Sequence, residues 1–280
     1  LFRSSVTILK GPAATALYGS RAGNGAIIYT TKRYKSGVKA TYTTSIEISS
    51  VNKLPELQDQ YAQGVGGGVQ GGSATHIEGD PGPDGLWFTA DDVSLGTSAS
   101  WGPKISDDPS LESYDNIGNF FQNGITYNNN VSFSGGTNKA NFRMSIGNTR
   151  QTGMIPNTEF KRTSVRITSD LNLTDKLKFG GTANYINPGG TMAQNGSNLS
   201  GVMLGLTRTP ASYDLLGGNG ADGWNLASGN QHQYFFVYDN PHWTANMNPN
   251  TNKVNRVIGN VDANYAPTSW LNIAYKIGTD

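Results

Sequence analysis

Val38-Lys39-Ala40-Thr41-Tyr42-Thr43-Thr44-Ser45-Ile46-Glu47-Ile48 alternates between apolar or aromatic and polar side chains, with Thr44 the one polar residue on the otherwise apolar face. Only an extended strand, whose side chains point alternately to opposite faces, turns such a pattern into one apolar and one polar face. The same period returns in 127–134, 140–146, 165–173, 177–185, 257–265 and 271–277, which makes seven strands of the same two-faced kind. Each is about 10 residues long, the length that crosses a bilayer at the tilt of a barrel.

The connections differ in length along the chain. Gly135–Lys139, Thr174–Lys176 and Pro267–Ser269 are tight, 152–161 is intermediate, and 49–126 and 187–254 are long. Short turns at one end and long loops at the other are characteristic of outer-membrane barrels. Two loops of that length without secondary structure of their own are uncommon in a compact soluble domain. A soluble β-sandwich or barrel remains the competing reading of the alternation. Tyr127, Tyr185, Tyr265 and Trp270 lie near strand ends, where an interfacial girdle or any sheet edge would place them.

Composition agrees with a polar-faced sheet and excludes several functions. Charged residues are 15% of the chain, below the roughly 25% of soluble domains, and there are 36 glycines among 280 residues. Lys and Arg number 21 against 20 Asp and Glu, a net charge of +1, so the chain lacks the basic excess that draws a protein to nucleic acid. The absence of cysteine removes disulfides, thiolate chemistry and cysteine-held metals. No run of 18 apolar residues suggests a membrane helix, which leaves strand-based spanning open.

Ahead of the alternating region, Val6-Thr7-Ile8-Leu9 reads as a strand. Gly11-Pro12 opens a helix over Ala13–Tyr18 that Gly19 stops, and Ala26–Thr31 reads as a second strand. The expected unit is βαβ-like. Leu199, Val202, Met203 and Leu206 fall at helical spacing within the second long loop, with Pro210 beyond them. That short helix is expected to pack on the barrel wall or on a partner. The chain begins at Leu1 without a leader and ends inside an alternating run, as an internal piece of a longer protein would.

The segment Leu9-Lys10-Gly11-Pro12-Ala13-Ala14, continued by Ala16-Leu17-Tyr18-Gly19-Ser20-Arg21-Ala22-Gly23-Asn24-Gly25-Ala26-Ile27-Ile28, resembles the end of the plug domain of SusC/RagA-type TonB-linked outer-membrane proteins. The resemblance continues at Ser100–Lys104, at Asn148–Pro156 and at Asp239-Asn240-Pro241-His242-Trp243, with departures at Gly23 and Tyr29. It therefore spans almost the whole chain. Gly11, Pro12, Tyr18, Gly19, Arg21, Asn24 and Gly25 stand as its plug motif.

This resemblance implies an antiparallel transmembrane β-barrel of about 22 strands enclosing an α/β plug. Residues 1–36 would be the end of the plug and 37–280 the first part of the barrel. The missing N-terminal part would hold the signal peptide, most of the plug and the TonB-contacting box. Loops 49–126 and 187–254 would be extracellular, in the outer membrane of a Gram-negative bacterium. The implied activity is TonB-dependent import of a glycan or oligopeptide beneath a SusD-like surface lipoprotein, with no covalent chemistry. A passive porin would lack the unit at 1–33, while a structural or adhesive barrel stays open as the alternative.

Candidate sites follow from residue type. Trp87, Trp101, Trp224, Tyr234, Phe235 and Trp243 lie in the long loops, where flat rings could stack on sugars or meet a partner. Trp87, Trp224 and Trp243 are expected to be exposed. Asp80, Asp84, Asp91 and Asp92 form an acidic, turn-rich group that could hold Ca²⁺ or be a solvated loop, and their spacing does not fit an EF-hand. Gly64–Gly72 lacks the Gly-Lys-Ser/Thr ending of a phosphate loop. His76, His232 and His242 are isolated, with a packing role expected for His242, and no serine sits in a nucleophile elbow.

Overall fold

The computed structural model describes residues 3–31, 37–64 and 98–280. The alternating stretches become β3 (Gly37–Ser49), β4 (Gly124–Gly136), β5 (Ala140–Thr152), β6 (Glu159–Asn172), β7 (Leu177–Met192), β9 (Arg256–Thr268) and β10 (Leu271–Thr279). They form one antiparallel sheet in the order β10-β9-β7-β6-β5-β4-β3, and a short β8 (Asn250–Lys253) pairs with the far end of β7. The seven expected strands are all present, most of them a few residues longer at the loop end than the alternation indicates. That extra length is polar and Gly-rich, so the period is silent there.

Register between β3, β4, β5, β6 and β7 runs without a bulge, so each face keeps its chemistry across the sheet. One face carries Phe133, Met144, Ile167 and Ala183 in adjacent positions. The other carries Ser132, Ser145, Arg166 and Asn184. The two faces are inverted relative to a soluble protein: Tyr42 is 64% and Ile167 49% exposed, whereas Ser132 is 3% and Thr168 8% exposed. The polar face is the sheltered one, and the apolar face points away from the protein. Such a sheet suits a hydrocarbon solvent outside and a wet interior, the reverse of a sandwich core.

Arg143, Arg166, Asp170 and Asn184 share the sheltered face, as expected from the alternation, and Phe179 stands on the outward one. Among the described residues, no helix is long and apolar enough to cross a membrane.

Two tight turns use the same device. Thr137 Oγ1 accepts from the amides of Lys139 and Ala140 at 3.3 and 3.2 Å, and Thr174 Oγ1 accepts from Lys176 and Leu177 at 3.2 and 3.0 Å. A threonine hydroxyl thus holds amides that the reversal would leave open. With turns at one end, the connections after β3, β5 and β7 must all emerge at the other.

Pro188 lacks an amide hydrogen, and it sits where the partner of β7 changes from β9 to β8. Side chains bridge that break: Asn187 Nδ2 donates to Val254 O at 2.9 Å, and Tyr185 Oη donates to Asn255 Oδ1 at 2.7 Å.

The leading unit contains β1 (Arg3–Leu9), α1 (Pro12–Tyr18), a 3₁₀ turn at Ser20–Ala22 and β2 (Ala26–Thr31). Pro12 opens the helix, and the Gly19 amide closes it on Thr15 O. The strands pair antiparallel, Ile8 opposite Ile27 and Leu9 opposite Ala26, which corrects the βαβ-like expectation. A helix of 7 residues followed by a tight 3₁₀ turn is too short for a parallel crossover. Gly25 has φ +104° and passes 2.9 Å from Leu9 O at its virtual Cβ, so this return requires glycine.

Placing arginine on the apolar face separates membrane from soluble readings. In the intact protein folded into lipid, Ile167→Arg is expected to cost about 2–4 kcal/mol, and Asn260→Arg on the polar face much less. Denaturant titration of both variants measures this, and equal costs would contradict the assignment of faces.

Candidate functional site

The second long connection, expected at 187–254 as a long loop holding one short helix, is largely built structure. It holds α2 (Val202–Arg208), α3 (Pro241–Met247) and β8. Val202 and Leu206 of α2 pack with Tyr213, Leu215 and Tyr234 of the same connection and with Ile117 and Phe120 of the first. Ile155, from the turn after β5, packs on this cluster. Three connections thus share one apolar core at the loop end of the sheet.

The apolar face of α2 meets this cap, not the barrel wall. Leu199 precedes the helix, and it and Met203 remain exposed, so only half of the expected stripe is buried.

Hydrogen bonds join the connections to each other. The Gln63 amide donates to Ser212 Oγ at 3.0 Å and its Nε2 to Tyr234 O at 3.1 Å. Asn116 Nδ2 donates to Tyr213 O at 2.7 Å while its Oδ1 accepts from Leu215 N at 3.1 Å. Gln122 reaches the β5–β6 turn through Met154 O at 2.9 Å and Gly153 O at 2.9 Å.

Asn240 is the hub of the second connection. It is 1% exposed, and its Nδ2 donates to Leu215 O at 2.8 Å and His232 O at 2.6 Å. Its Oδ1 accepts from His242 N at 2.9 Å, capping α3, with Pro241 in the first helical position.

The histidines serve packing. His232 stacks on Tyr213 with centroids 4.8 Å apart, and its Nε2 lies 3.1 Å from Asp214 O. His242 meets Phe120 edge-on at 4.8 Å, and burial pushes its pKa down, with nearby Asp214 opposing. Burial pushes the Tyr213 and Tyr234 hydroxyls up, so both stay protonated. Ser200 Oγ bonds Ser197 Oγ at 2.9 Å, an arrangement with no base beside it. Among the described residues, no three His, Cys, Asp or Glu side chains gather as a metal site.

The aromatic candidates separate into different environments. Tyr234 is buried in the core, and the half-buried Phe235 packs on it. Trp224 and Trp243 are half-buried, edge to face at 5.7 Å, which corrects their expected exposure. Trp101 is 61% exposed beside Tyr61 at 5.6 Å. Trp87 and the carboxylates Asp80, Asp84, Asp91 and Asp92 lie outside the described residues, as does His76.

Gly11, Pro12, Tyr18, Gly19, Arg21, Asn24 and Gly25 all fall in the helix and turns between β1 and β2. A cavity of about 270 Å³ opens where the first and second connections meet, lined in part by Asp59, Tyr114, Asp115 and Thr209. The alternation passes over this cap entirely. Asn240-Pro241, a capping side chain followed by a helix-opening proline, is the local signal that would have found α3.

No family model matches the chain. The chain is 26% identical to the TonB-dependent receptor SusC of Bacteroides thetaiotaomicron across 93% of its own length and 24% of that protein. It is also 26% identical to the TonB-dependent receptor P26 of Formosa agariphila, across 95% of its length and 24% of that protein. Its fold matches the RagAB peptide transporter with TM-score 0.63 at 17% identity, over 99% of this chain and 32% of that one. The RagAB peptide importer in the open-open state matches with TM-score 0.60 at 19% identity.

An apolar-out, polar-in antiparallel sheet with these likenesses defines part of a transmembrane β-barrel. More narrowly, the chain resembles a segment of SusC/RagA-type TonB-dependent receptors. It spans about a quarter of the length of the curated relatives it matches.

Two outcomes test the cap. Asn240→Leu leaves two carbonyls and a helix-end amide unpartnered and should destabilise it by about 2–4 kcal/mol. Hydrogen exchange should then quicken across 199–247 while β4–β6 stay protected; unchanged exchange would contradict the hub. Because the folded-state pKa of His242 is lowered, the unfolded cap binds the extra proton. Stability is therefore full above the ordinary value of about 6.5 and falls as pH drops below it. Protection factors in the cap, which divide out the intrinsic pH dependence of amide exchange, should fall from pH 7.5 to pH 5, and His242→Phe should flatten that fall.

Proposed function

We propose that this chain is part of an energised importer in the outer membrane of a Gram-negative bacterium. Its cargo would be a nutrient of the glycan or oligopeptide class. The observation that carries the reading is the pairing of a lipid-facing sheet with the separate β1–α1–β2 unit bearing the plug motif. A wide barrel with a polar inner face would leak unless a soluble element filled it. Residues 1–36 are well suited to that filling, as the end of a plug ahead of a barrel segment at 37–280. Ile8, Leu17 and Ile27 of the unit are exposed, so apolar surface remains there for the rest of a plug or the barrel wall to cover.

In this reading TonB pulls on a part of the receptor outside this chain, and the cap faces the medium. A SusD-like surface lipoprotein would seat on the cap. Similarity to the RagAB peptide importer supports a two-protein assembly, and the exposed Trp101 with the rims of Trp224 and Trp243 offers aromatic contacts for it. The pocket between the two connections is large enough for a sugar ring or a side chain, with Asp59 and Asp115 as acceptors. Ca²⁺ at Asp80, Asp84, Asp91 and Asp92 would rigidify the first connection and raise its melting temperature on calcium addition.

Removing 3–31 from the intact receptor should give a conducting pore whose uptake no longer depends on TonB. Energy-dependent uptake that survived the deletion would contradict the proposal. A structural or adhesive barrel would instead show neither TonB dependence nor a co-purifying lipoprotein.

A further inference from the structure

The outward face is apolar over most of each strand but changes character near the loop end. Read toward that end, β5 presents Phe142, Met144, Ile146, Asn148 and then Arg150. Running the opposite way, β6 presents Ile167, Val165, Thr163 and then Lys161 toward the same end. On β4 the order is Phe133, Val131, Asn129 and Tyr127. Strand tilt shifts neighbouring strands in depth by a few ångström, so the order is read along each strand. Each gives apolar, then amide or hydroxyl, then cation or ring.

Arg150 stands directly opposite Lys161 in the β5–β6 register, a like-charge pair that disfavours the sheet. Beyond Lys161 comes Gly189, which has no side chain, and beyond that Lys253 of β8. The virtual Cβ of Gly189 lies 3.7 Å from Lys253 Cβ, which places the lysine on the same face. Among the described residues, three cations therefore share the rim with one carboxylate, Glu159, which pairs with Lys161 Nζ at 2.5 Å. Tyr127, Arg150, Glu159 and Lys161 line an open pocket of about 340 Å³ here.

We infer that this rim is a binding site for the phosphorylated glycolipid of the outer leaflet. Its phosphate lies against Arg150, Lys161 and Lys253, its sugars against Asn148 and Thr163, and its acyl chains against Ile146 and Val165. A lipid phosphate offsets the positive charge that remains on the rim after Glu159 pairs with Lys161, and the order of chemistry down each strand matches that of the lipid. Clustered cations at a membrane surface draw anionic headgroups in this way. The inference rests on the proposed orientation, with the long connections outside the cell.

The test uses the full-length receptor in detergent, titrated with diphosphoryl lipid A and with its dephosphorylated form. Arg150→Gln/Lys161→Gln/Lys253→Gln is expected to bind the phosphorylated lipid at least tenfold more weakly, and the dephosphorylated lipid unchanged. Equal affinity of wild type and variant for the phosphorylated lipid would overturn the site. Full displacement by millimolar inorganic phosphate would overturn its assignment to a lipid. Should the triple variant not fold, as read from heat-modifiable mobility, Arg150→Gln and Lys253→Gln alone should each weaken binding about threefold; no change in either overturns it.

Labelling Ser228→Cys with an impermeant maleimide on intact cells separates the two readings. Labelling without phosphate-dependent lipid binding sinks this inference alone. Absence of labelling sinks the orientation, and the import reading with it.

Discussion

Hydrocarbon offers no hydrogen-bond partner to a peptide group, so each spanning strand must find its partners in its neighbours. The unbroken antiparallel ladder from β3 to β7, continued through β9 and β10, meets that demand. Everything else follows from its regularity. A bulge would exchange the two faces beyond it and bring arginines such as Arg143 and Arg166 to the lipid side. Where β7 changes partner, at Pro188, the break falls at the loop end, and Asn187, Tyr185 and Asn255 close it with side chains; the β9–β10 irregularity at Leu271–Ile273 lies at the turn end.

The ladder also decides where the cap can form. Reversals at 137–139 and 173–176 are held by single threonines and use few residues. The long connections are thereby forced to the opposite end, side by side. Once adjacent, they bury Phe120, Leu206, Leu215 and Tyr234 against each other. Conformational entropy that free loops of this length would retain is offset by that burial and by hydrogen bonds such as those of Gln63, Asn116 and Asn240. Contacts of this kind make the cap a stiff surface where free loops would fluctuate.

The outward face has its own gradation. Its apolar band ends in amides, then in Arg150, Lys161 and Lys253 at the loop end. An excess of cations at one depth, Arg150, Lys161 and Lys253 against Glu159, departs from the near-neutral balance of the whole chain, 21 cations against 20 anions. Net charge conceals this local excess because acidic residues lie elsewhere, including Asp170 and Asp262 on the inner face beside Gly180.

The period of two needed only the sequence. Strand identity, face assignment and the placing of turns are local properties, carried by residues such as Val38–Ile48 and read without any partner. The helix at Pro12–Tyr18 was legible for the same reason, since proline and glycine act on their own backbone. Tertiary structure alone decided the antiparallel return of β2, set by the tight turn behind α1, and the fate of the loop aromatics. Whether Tyr234 is buried or Trp101 exposed depends on which distant connection arrives beside it, and ring chemistry is the same in both cases. The pairing of Arg150 with Lys161 likewise exists only through register, because 11 positions of chain separate them and only the β5–β6 ladder sets them opposite each other.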